Sequence, residues 1–245
     1  MKISKEAMAA TRQKILVAAS DVITERGFKA ASMREIARRA EVGDATIYNY
    51  FPSKEKLLYG YCENRQKEVA QALRELEGFD QYTLQEQLHQ LVEMELTLWL
   101  PDREFLAEVF DTTFYSPTAS LINLAETRRL FNRMVDEIID NAVDAGEMPE
   151  QPHKSLLAPL YWDYTTAVLA YWLRDDSEGF ANTTRLVDQS VELFALVLQT
   201  GVIGKTMELV SFLFRTHISR TLNAFDEYTR PWKKAKRQFM GNYDD

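Results

Sequence analysis

The chain has 245 residues, of which 46% are hydrophobic and 27% are charged, as expected for a globular protein with a sizeable core. The single cysteine, Cys62, excludes an intramolecular disulfide framework, and no run of 18 apolar residues predicts a transmembrane helix. The polar N-terminus lacks the apolar segment of a signal peptide, so we expect a cytoplasmic protein that does not bind membranes.

The charge is unevenly distributed along the chain. The net charge of −8 argues against nucleic acid as a partner of the whole protein. Residues 1–60, however, hold 11 basic and 7 acidic residues, which leaves 18 basic and 30 acidic residues for the remainder. A basic N-terminal part on an acidic body predicts a polyanionic partner for the N-terminal part alone.

The N-terminal part begins with two predicted helices. The first is expected over 11–26, because apolar residues recur there at the spacing of one buried face: Ile15, Ala19, Val22 and Ile23. Gly27 is expected to end it. A short second helix is predicted from Ser32 to about Ala40, since Ser32 and Glu35 have the spacing of a capping box.

A tight turn over 41–43 separates this helix from a third, predicted over 44–50. Pro52 must end the third helix because proline has no N–H to continue it, and Ser53 is expected to cap a fourth helix that runs to about Glu77. Two short helices around a tight turn, packed between two longer ones, are the parts of a helix-turn-helix.

Beyond residue 80 the pattern predicts only helices. They are expected at about 83–100, 103–115, 118–145, 153–174, 181–200 and 204–227. We therefore predict an all-α protein with a three-helix helix-turn-helix domain over 1–56, a helical body over 57–228, and a basic then acidic tail over 229–245.

The helix-turn-helix carries a long and specific motif. The capped second helix precedes the sequence ATIYNYFPSK over residues 45–54, which is followed by Glu55, Lys56 and Leu57. This segment resembles the DNA-binding domain of the TetR family of bacterial transcription regulators, in detail over residues 10–58 and elsewhere only as a helical body of suitable length. The resemblance implies a homodimeric repressor that leaves a palindromic operator when a small molecule binds the body.

The resemblance also implies roles for individual residues. Ala45, Thr46 and Asn49 are expected to face bases, and Asn49 suits a bidentate contact with adenine. The residues expected to hold phosphates are Arg34, Tyr48, Tyr50 and Lys54, of which Lys54 adjoins a helix N-terminus that favours anions. Packing in the core is the alternative role of the two tyrosines.

Asp44 departs from the family pattern, which often has serine and then lysine or arginine where this chain has Gly43 and Asp44. Two roles stay open for it. It either caps the recognition helix or accepts a hydrogen bond from cytosine N4 as part of the operator code.

Two charged residues of the body, Glu95 and Arg128, lie on otherwise apolar helix faces and therefore require partners. They form ion pairs, mutual or separate, or one of them lines an effector cavity. Four aromatic residues complete the candidate ligand site, although for any one of them packing in the core is the favoured alternative: Trp99, Phe110, Phe131 and Trp162. The three histidines are too scattered to bind a metal, and no cofactor is expected.

Dimerisation is expected because one helix-turn-helix reads too few base pairs, whereas a two-fold dimer reads two half-sites. The resemblance places the interface on the helices at about 153–174 and 181–200. Apolar residues of the second of these could serve the interface or the monomer core: Leu186, Val187, Phe194 and Leu198.

The C-terminal region adds two further features. An apolar stripe on the helix predicted over 204–227 is expected to pack on the body or extend the dimer contact: Met207, Val210, Phe214, Ile218, Leu222 and Phe225. The basic tail from Trp232 to Arg237 is either solvated or in contact with DNA.

Two other functional classes stay open. One is an all-helical enzyme, for which the sequence offers no nucleophile–base pair, metal spacing or phosphate loop, so we expect no enzymatic activity. The other is a DNA-binding or adaptor protein without an effector, which a collapsed interior of the body would favour.

Overall fold

The computed structural model describes residues 4–114, 123–151 and 153–200. Within these ranges the chain forms nine α-helices and no strand, so the all-α prediction is confirmed. The helices are α1 (Lys5–Arg26), α2 (Met33–Arg39), α3 (Asp44–Tyr50), α4 (Lys54–Glu75), α5 (Leu84–Trp99), α6 (Arg103–Phe114), α7 (Ala125–Asp144), α8 (Leu157–Trp172) and α9 (Ala181–Gln199). The helix predicted over 204–227 and the tail over 229–245 lie outside the described residues.

Four of the nine described α-helices, α1, α2, α4 and α5, begin directly after a residue whose side chain caps them. The Ser32–Glu35 capping box is present, and Ser53 Oγ accepts from the Lys56 N–H. Helix α1, however, begins six residues before the predicted start, because Ser4 Oγ accepts from the Ala7 N–H at 3.1 Å and caps an additional turn and a half. All six residues of this part of α1, Lys5 to Ala10, are exposed, so it has no buried face that apolar periodicity could reveal.

The N-terminal helices enclose a small core beneath the recognition helix α3. Ile47 and Phe51, the two apolar residues at its inner face, are both buried. The ring of Phe51 lies so close to Gly60 of α4 that a Cβ atom there would be 2.6 Å from it. Only glycine allows this approach, which fixes α3 against α4.

The body is centred on aromatic side chains between α5, α7 and α8. Tyr161 is fully buried, and its hydroxyl donates to the Leu88 carbonyl at 2.8 Å. Helix α7 packs along α8, and α9 packs against α5 and α8. The core cluster is continuous from α1 to α9, and α4 crosses the domain boundary that was predicted at residue 56. That boundary stays a prediction.

The connection between α8 and α9, which the sequence indicated only as a polar linker, is tightly organised. Asp175 Oδ2 accepts from the N–H and hydroxyl of Thr183, and Oδ1 accepts from Ser177. These hydrogen bonds hold the pKa of the Asp175 carboxyl well below its usual range. Arg103 donates to three carbonyls at the end of α8, including those of Trp172 and Asp175. The α8–α9 hairpin is therefore held as one unit.

Candidate DNA interface and effector cavity

The outer surface of α3 carries polar side chains that can reach DNA. Asp44, Ala45 and Asn49 are exposed, and Tyr48 is 52% exposed although it is a large aromatic residue. Thr46 is half-buried, and Tyr50 is half-buried against the core. Tyr48 is therefore not a core residue, and the exposed face has the arrangement that readout of the major groove requires.

Asp44 does not cap α3, so that expectation was wrong. Gly43 occupies the N-cap position without any side-chain hydrogen bond, and Asp44 is the first helical residue. Its Oδ2 accepts from Arg34 Nε of α2 at 2.8 Å. The pair joins α2 to the start of α3 and holds the Arg34 guanidinium next to the recognition helix. Arg34 and Asp44 are ten residues apart and lie on different helices, so no pattern within one helix predicted this pair.

Lys54 is directed into the domain rather than toward solvent. Its ammonium donates to the carbonyls of Phe28, of Lys29 at 3.4 Å and of Ala31 at 2.7 Å, and it lies 4.5 Å from the centre of the Phe28 ring. Its donors thus fasten the loop between α1 and α2 to the start of α4. The expected phosphate contact of Lys54 gains no support from this position and stays a prediction.

Replacing Lys54 by alanine is expected to lower the free energy of unfolding by about 1–3 kcal/mol, because partly buried carbonyls of Phe28 and Ala31 lose a charged donor. Urea unfolding measures this, with exposed Lys29→Ala as the matched control. The salt dependence of DNA binding tests the alternative, a phosphate contact of Lys54. Loss of one phosphate contact reduces the slope of the logarithm of affinity against the logarithm of salt concentration by about 1. Unchanged stability with a reduced slope would restore the phosphate role.

The body contains a narrow cavity between α4, α5, α6, α7 and α8. Its open space is about 20 Å³, which accommodates about one water molecule. The residues that line this central cavity are Cys62, Gln66, Glu95, Trp99, Phe114, Thr127, Phe131, Trp162, Thr165, Thr166 and Leu169. Four of the six candidate ligand residues are among them, namely Glu95, Trp99, Phe131 and Trp162.

The other two candidates, Phe110 and Arg128, do not line the central cavity. Phe110 stacks on Phe114 with ring centres 4.9 Å apart, so it supports the cavity wall from behind. Arg128 is half-buried, and its guanidinium carbon lies 5.9 Å from the centre of the Trp162 ring. In the described part of the chain, neither Glu95 nor Arg128 takes part in an ion pair, so the expected ion-pair alternative was wrong there.

Glu95 is the acidic group of the central cavity and is only 3% exposed. Its Oε1 accepts from Gln66 Nε2 at 2.8 Å. Burial raises the pKa of Glu95 to about 7, against the opposing effects of hydrogen bonds from Gln66 and Trp99 and of the charge on Arg65. Burial also raises the pKa of the Cys62 thiol to about 12, which makes it a poor nucleophile at neutral pH.

Replacing Glu95 by glutamine is expected to stabilise the protein more at pH 8 than at pH 5. The folded-state pKa of about 7 lies above the ordinary value of 4.5, so the folded protein loses stability as the pH rises through this window. Ionisation of Glu95 lowers the free energy of unfolding of the wild type by about 3 kcal/mol at pH 8 and by less than about 1 kcal/mol at pH 5, and the glutamine variant does not suffer this loss. Urea unfolding at the two pH values measures it.

Glu93→Gln is the matched control for this prediction, because it removes a carboxyl from the same helix outside the central cavity. The same effect of Glu95→Gln at both pH values would contradict the prediction.

A hydrogen-bonded junction connects the cavity to the DNA-binding part. Asp102, in the turn between α5 and α6, accepts from Ser20 of α1 at 3.0 Å and forms an ion pair with Arg65 of α4. Arg65 adjoins Gln66, which lines the central cavity. We call Ser20, Arg65 and Asp102 the Asp102 junction. Its members are up to 82 residues apart, so the sequence gave no indication of it.

Helices α8 and α9 expose an apolar face on the side away from the core. Its members, all large and exposed, are Leu160, Tyr171, Leu186, Leu193 and Leu196. Of the residues that the sequence offered for an interface, Leu186 lies on this face, and Phe194 is half-buried against Tyr161. Val187 and Leu198 are fully buried in the chain's own core and are not available to a partner.

Together, an outward-facing recognition helix and a helical body with an internal cavity define a one-component DNA-binding regulator. The family description "Bacterial regulatory proteins, tetR family" matches residues 15–59, and "Tetracyclin repressor-like, C-terminal domain" matches residues 87–213. The chain therefore belongs to the TetR family of transcriptional regulators.

Relatives and solved structures agree with this assignment. The chain is 24% identical to the fatty acid metabolism regulator protein of Bacillus subtilis (strain 168), over 67% of its own length and 84% of that protein. It is 25% identical to the HTH-type transcriptional regulator UidR of Escherichia coli (strain K12), over 65% and 80%. These relatives are regulators rather than enzymes.

Two solved structures have the same fold. FadR from Bacillus subtilis in complex with stearoyl-CoA has a TM-score of 0.59 at 22% identity, covering 77% of this chain and 98% of that one. A TetR-family regulator from Syntrophomonas wolfei has a TM-score of 0.64 at 21% identity, covering 77% and 96%. In the described ranges of this chain, no helix has the length and apolar character needed to cross a membrane.

Proposed function

We propose that this chain is a homodimeric repressor in the cytoplasm, which binds a palindromic operator and leaves it when a small molecule enters the central cavity. The observation that carries the DNA-binding part is the geometry of α3. Ile47 anchors it to the core, while Ala45, Tyr48 and Asn49 face outward. In this proposal Ala45, Thr46 and Asn49 read bases, and Tyr48, Tyr50 and Arg34 hold phosphates.

The apolar face of α8 and α9 supports dimerisation. Leu193 is 61% exposed and Leu160 is 55% exposed, and they belong to a contiguous hairpin that Asp175 and Arg103 hold rigid. Several large apolar residues exposed on two neighbouring helices are typical of an interaction site. A second copy of the hairpin, related by two-fold symmetry, would cover the apolar face. The same symmetry would give the dimer two recognition helices, one for each half-site of the operator.

The Asp102 junction supports a mechanism for switching. In this proposal a ligand widens the narrow cavity by displacing Gln66 and the segment of α4 that forms one of its walls. Displacement of α4 moves Arg65, which is paired with Asp102, and Asp102 in turn holds Ser20 of α1. The ligand thereby favours a state in which the recognition helices no longer match successive major grooves.

The narrowness of the central cavity favours a second candidate function, a DNA-binding protein without an effector. Two polar groups in the cavity favour the effector-responsive proposal instead. Glu95 is a buried carboxyl, and within the described part of the chain Thr165 Oγ1 is buried without a hydrogen-bond partner, so both can bind a polar group of a ligand. The stearoyl-CoA of the Bacillus subtilis FadR structure makes an acyl group one candidate effector.

The proposal is tested by selecting genomic fragments that bind the purified protein at two salt concentrations and sequencing them. Recovery of one palindromic motif, with affinity that falls steeply with salt, is expected. Weak binding without a motif at both salt concentrations would contradict sequence-specific regulation.

A further inference from the structure

The central cavity combines an acidic group with an unsatisfied hydroxyl. Glu95 has neutral hydrogen-bonding partners, Gln66 and Trp99, and the charge of Arg65 from α4 only partly offsets its burial. Thr165 Oγ1 on α8 has no hydrogen-bond partner among the residues that the structure describes. Both groups can accept hydrogen bonds, and a ligand with positively charged N–H donors would satisfy both.

Aromatic rings surround these two acceptors. Trp99 lines the cavity next to Glu95, while Trp162 packs against Phe114 at 6.2 Å and against Phe131 at 5.3 Å between ring centres. The Trp162 ring already accepts the Arg128 guanidinium at 5.9 Å. Aromatic faces attract cations, most strongly where water is excluded, and the large apolar area suits a hydrophobic body.

We infer that the effector of this cavity is an organic cation, a protonated amine carried on an apolar body, with the ammonium between Glu95 and Thr165. This inference rests on the proposed effector-responsive function and names its ligand class. A carboxylate or phosphate placed at the same point could accept from the Thr165 hydroxyl, but like charge on the ionised Glu95 carboxyl would repel it, so Glu95 is the group that distinguishes a cation from an anion.

The test compares the binding of four probes with the same body to the full-length protein. The probes are 4-phenylbutylammonium, 4-phenylbutyltrimethylammonium, 4-phenylbutanol and 4-phenylbutanoate, and calorimetry measures their affinities. We expect the primary ammonium to bind most tightly, since it alone combines a positive charge with N–H donors, and the carboxylate to bind most weakly. Equal or tighter binding of the alcohol or the carboxylate would overturn the inference.

The pH dependence of the wild-type protein is a second readout that needs no variant. A cation binds the ionised form of Glu95, whose pKa is about 7, so the affinity of the ammonium is expected to rise about tenfold from pH 6 to pH 8. Arg65, the charged group that faces Glu95 from α4, keeps its charge throughout this range, and the Cys62 thiol, which also lines the cavity, stays protonated because burial raises its pKa to about 12. A flat profile would count against the inference.

Glu95→Gln is expected to reduce ammonium affinity at least tenfold and to abolish its pH dependence, whereas Glu93→Gln should do neither. Failure of the inference and failure of the proposed function are distinguishable. If the alcohol or the carboxylate binds and causes the protein to release its operator, the effector-responsive function stands and the inferred ligand class, an organic cation, is wrong. If no probe binds while the palindromic operator is still recovered, the inference fails and DNA-binding regulation is unaffected.

Discussion

Replacing Asn49 by alanine is expected to lower the affinity of the dimer for its selected operator about 100-fold and to relax base preference at one position in each half-site. Asn49 is exposed near the end of the recognition helix, where its amide can make a bidentate contact with adenine. Loss of such a contact is worth about 1–3 kcal/mol, and a two-fold complex contains it twice. Fluorescence anisotropy with operator variants measures both effects.

Asn141→Ala is the matched control, since Asn141 is exposed on α7 of the body and far from α3 in the chain. Its affinity should equal that of the wild type. A uniform loss across all operator variants, with unchanged preference, would show that Asn49 contacts the phosphate backbone instead of a base.

Introducing glutamate at both Leu160 and Leu193 is expected to convert a dimer into a monomer and to reduce operator affinity at least 100-fold. The two leucines are the most exposed members of the apolar face, so each monomer keeps its core. A dimer that used this face would have to bury four charges in its interface, two from each protomer. A monomer binds one half-site and loses the contribution of the second. Light scattering after size-exclusion chromatography gives the oligomeric state.

The matched control is Leu100→Glu, which places the same charge on a leucine that is 49% exposed in the turn between α5 and α6, outside the apolar face. This variant should remain dimeric. A double variant that stays dimeric and binds its operator normally would place the interface elsewhere on the molecule.

Local signals in the sequence were enough to locate the helix-turn-helix. The Ser32–Glu35 capping box, the break at Pro52 and the Ser53 cap each act between residues at most four apart, so their effect is independent of the rest of the fold. Ile47 and Phe51, which are both buried, are four residues apart, the spacing that puts two side chains on one helix face. For these reasons α2 and α3 begin where the sequence predicts.

The sequence determined the all-α class, the recognition helix and the need for a partner around Glu95, because periodicity, capping and the cost of burying a charge are properties of short segments. Only the tertiary structure decided which partner each side chain finds. Lys54 turns to carbonyls 23 to 26 residues away, Asp44 pairs with Arg34, and Asp102 joins α1 to α4. Such contacts depend on how helices pack against one another, and the pattern within any one helix does not specify that packing.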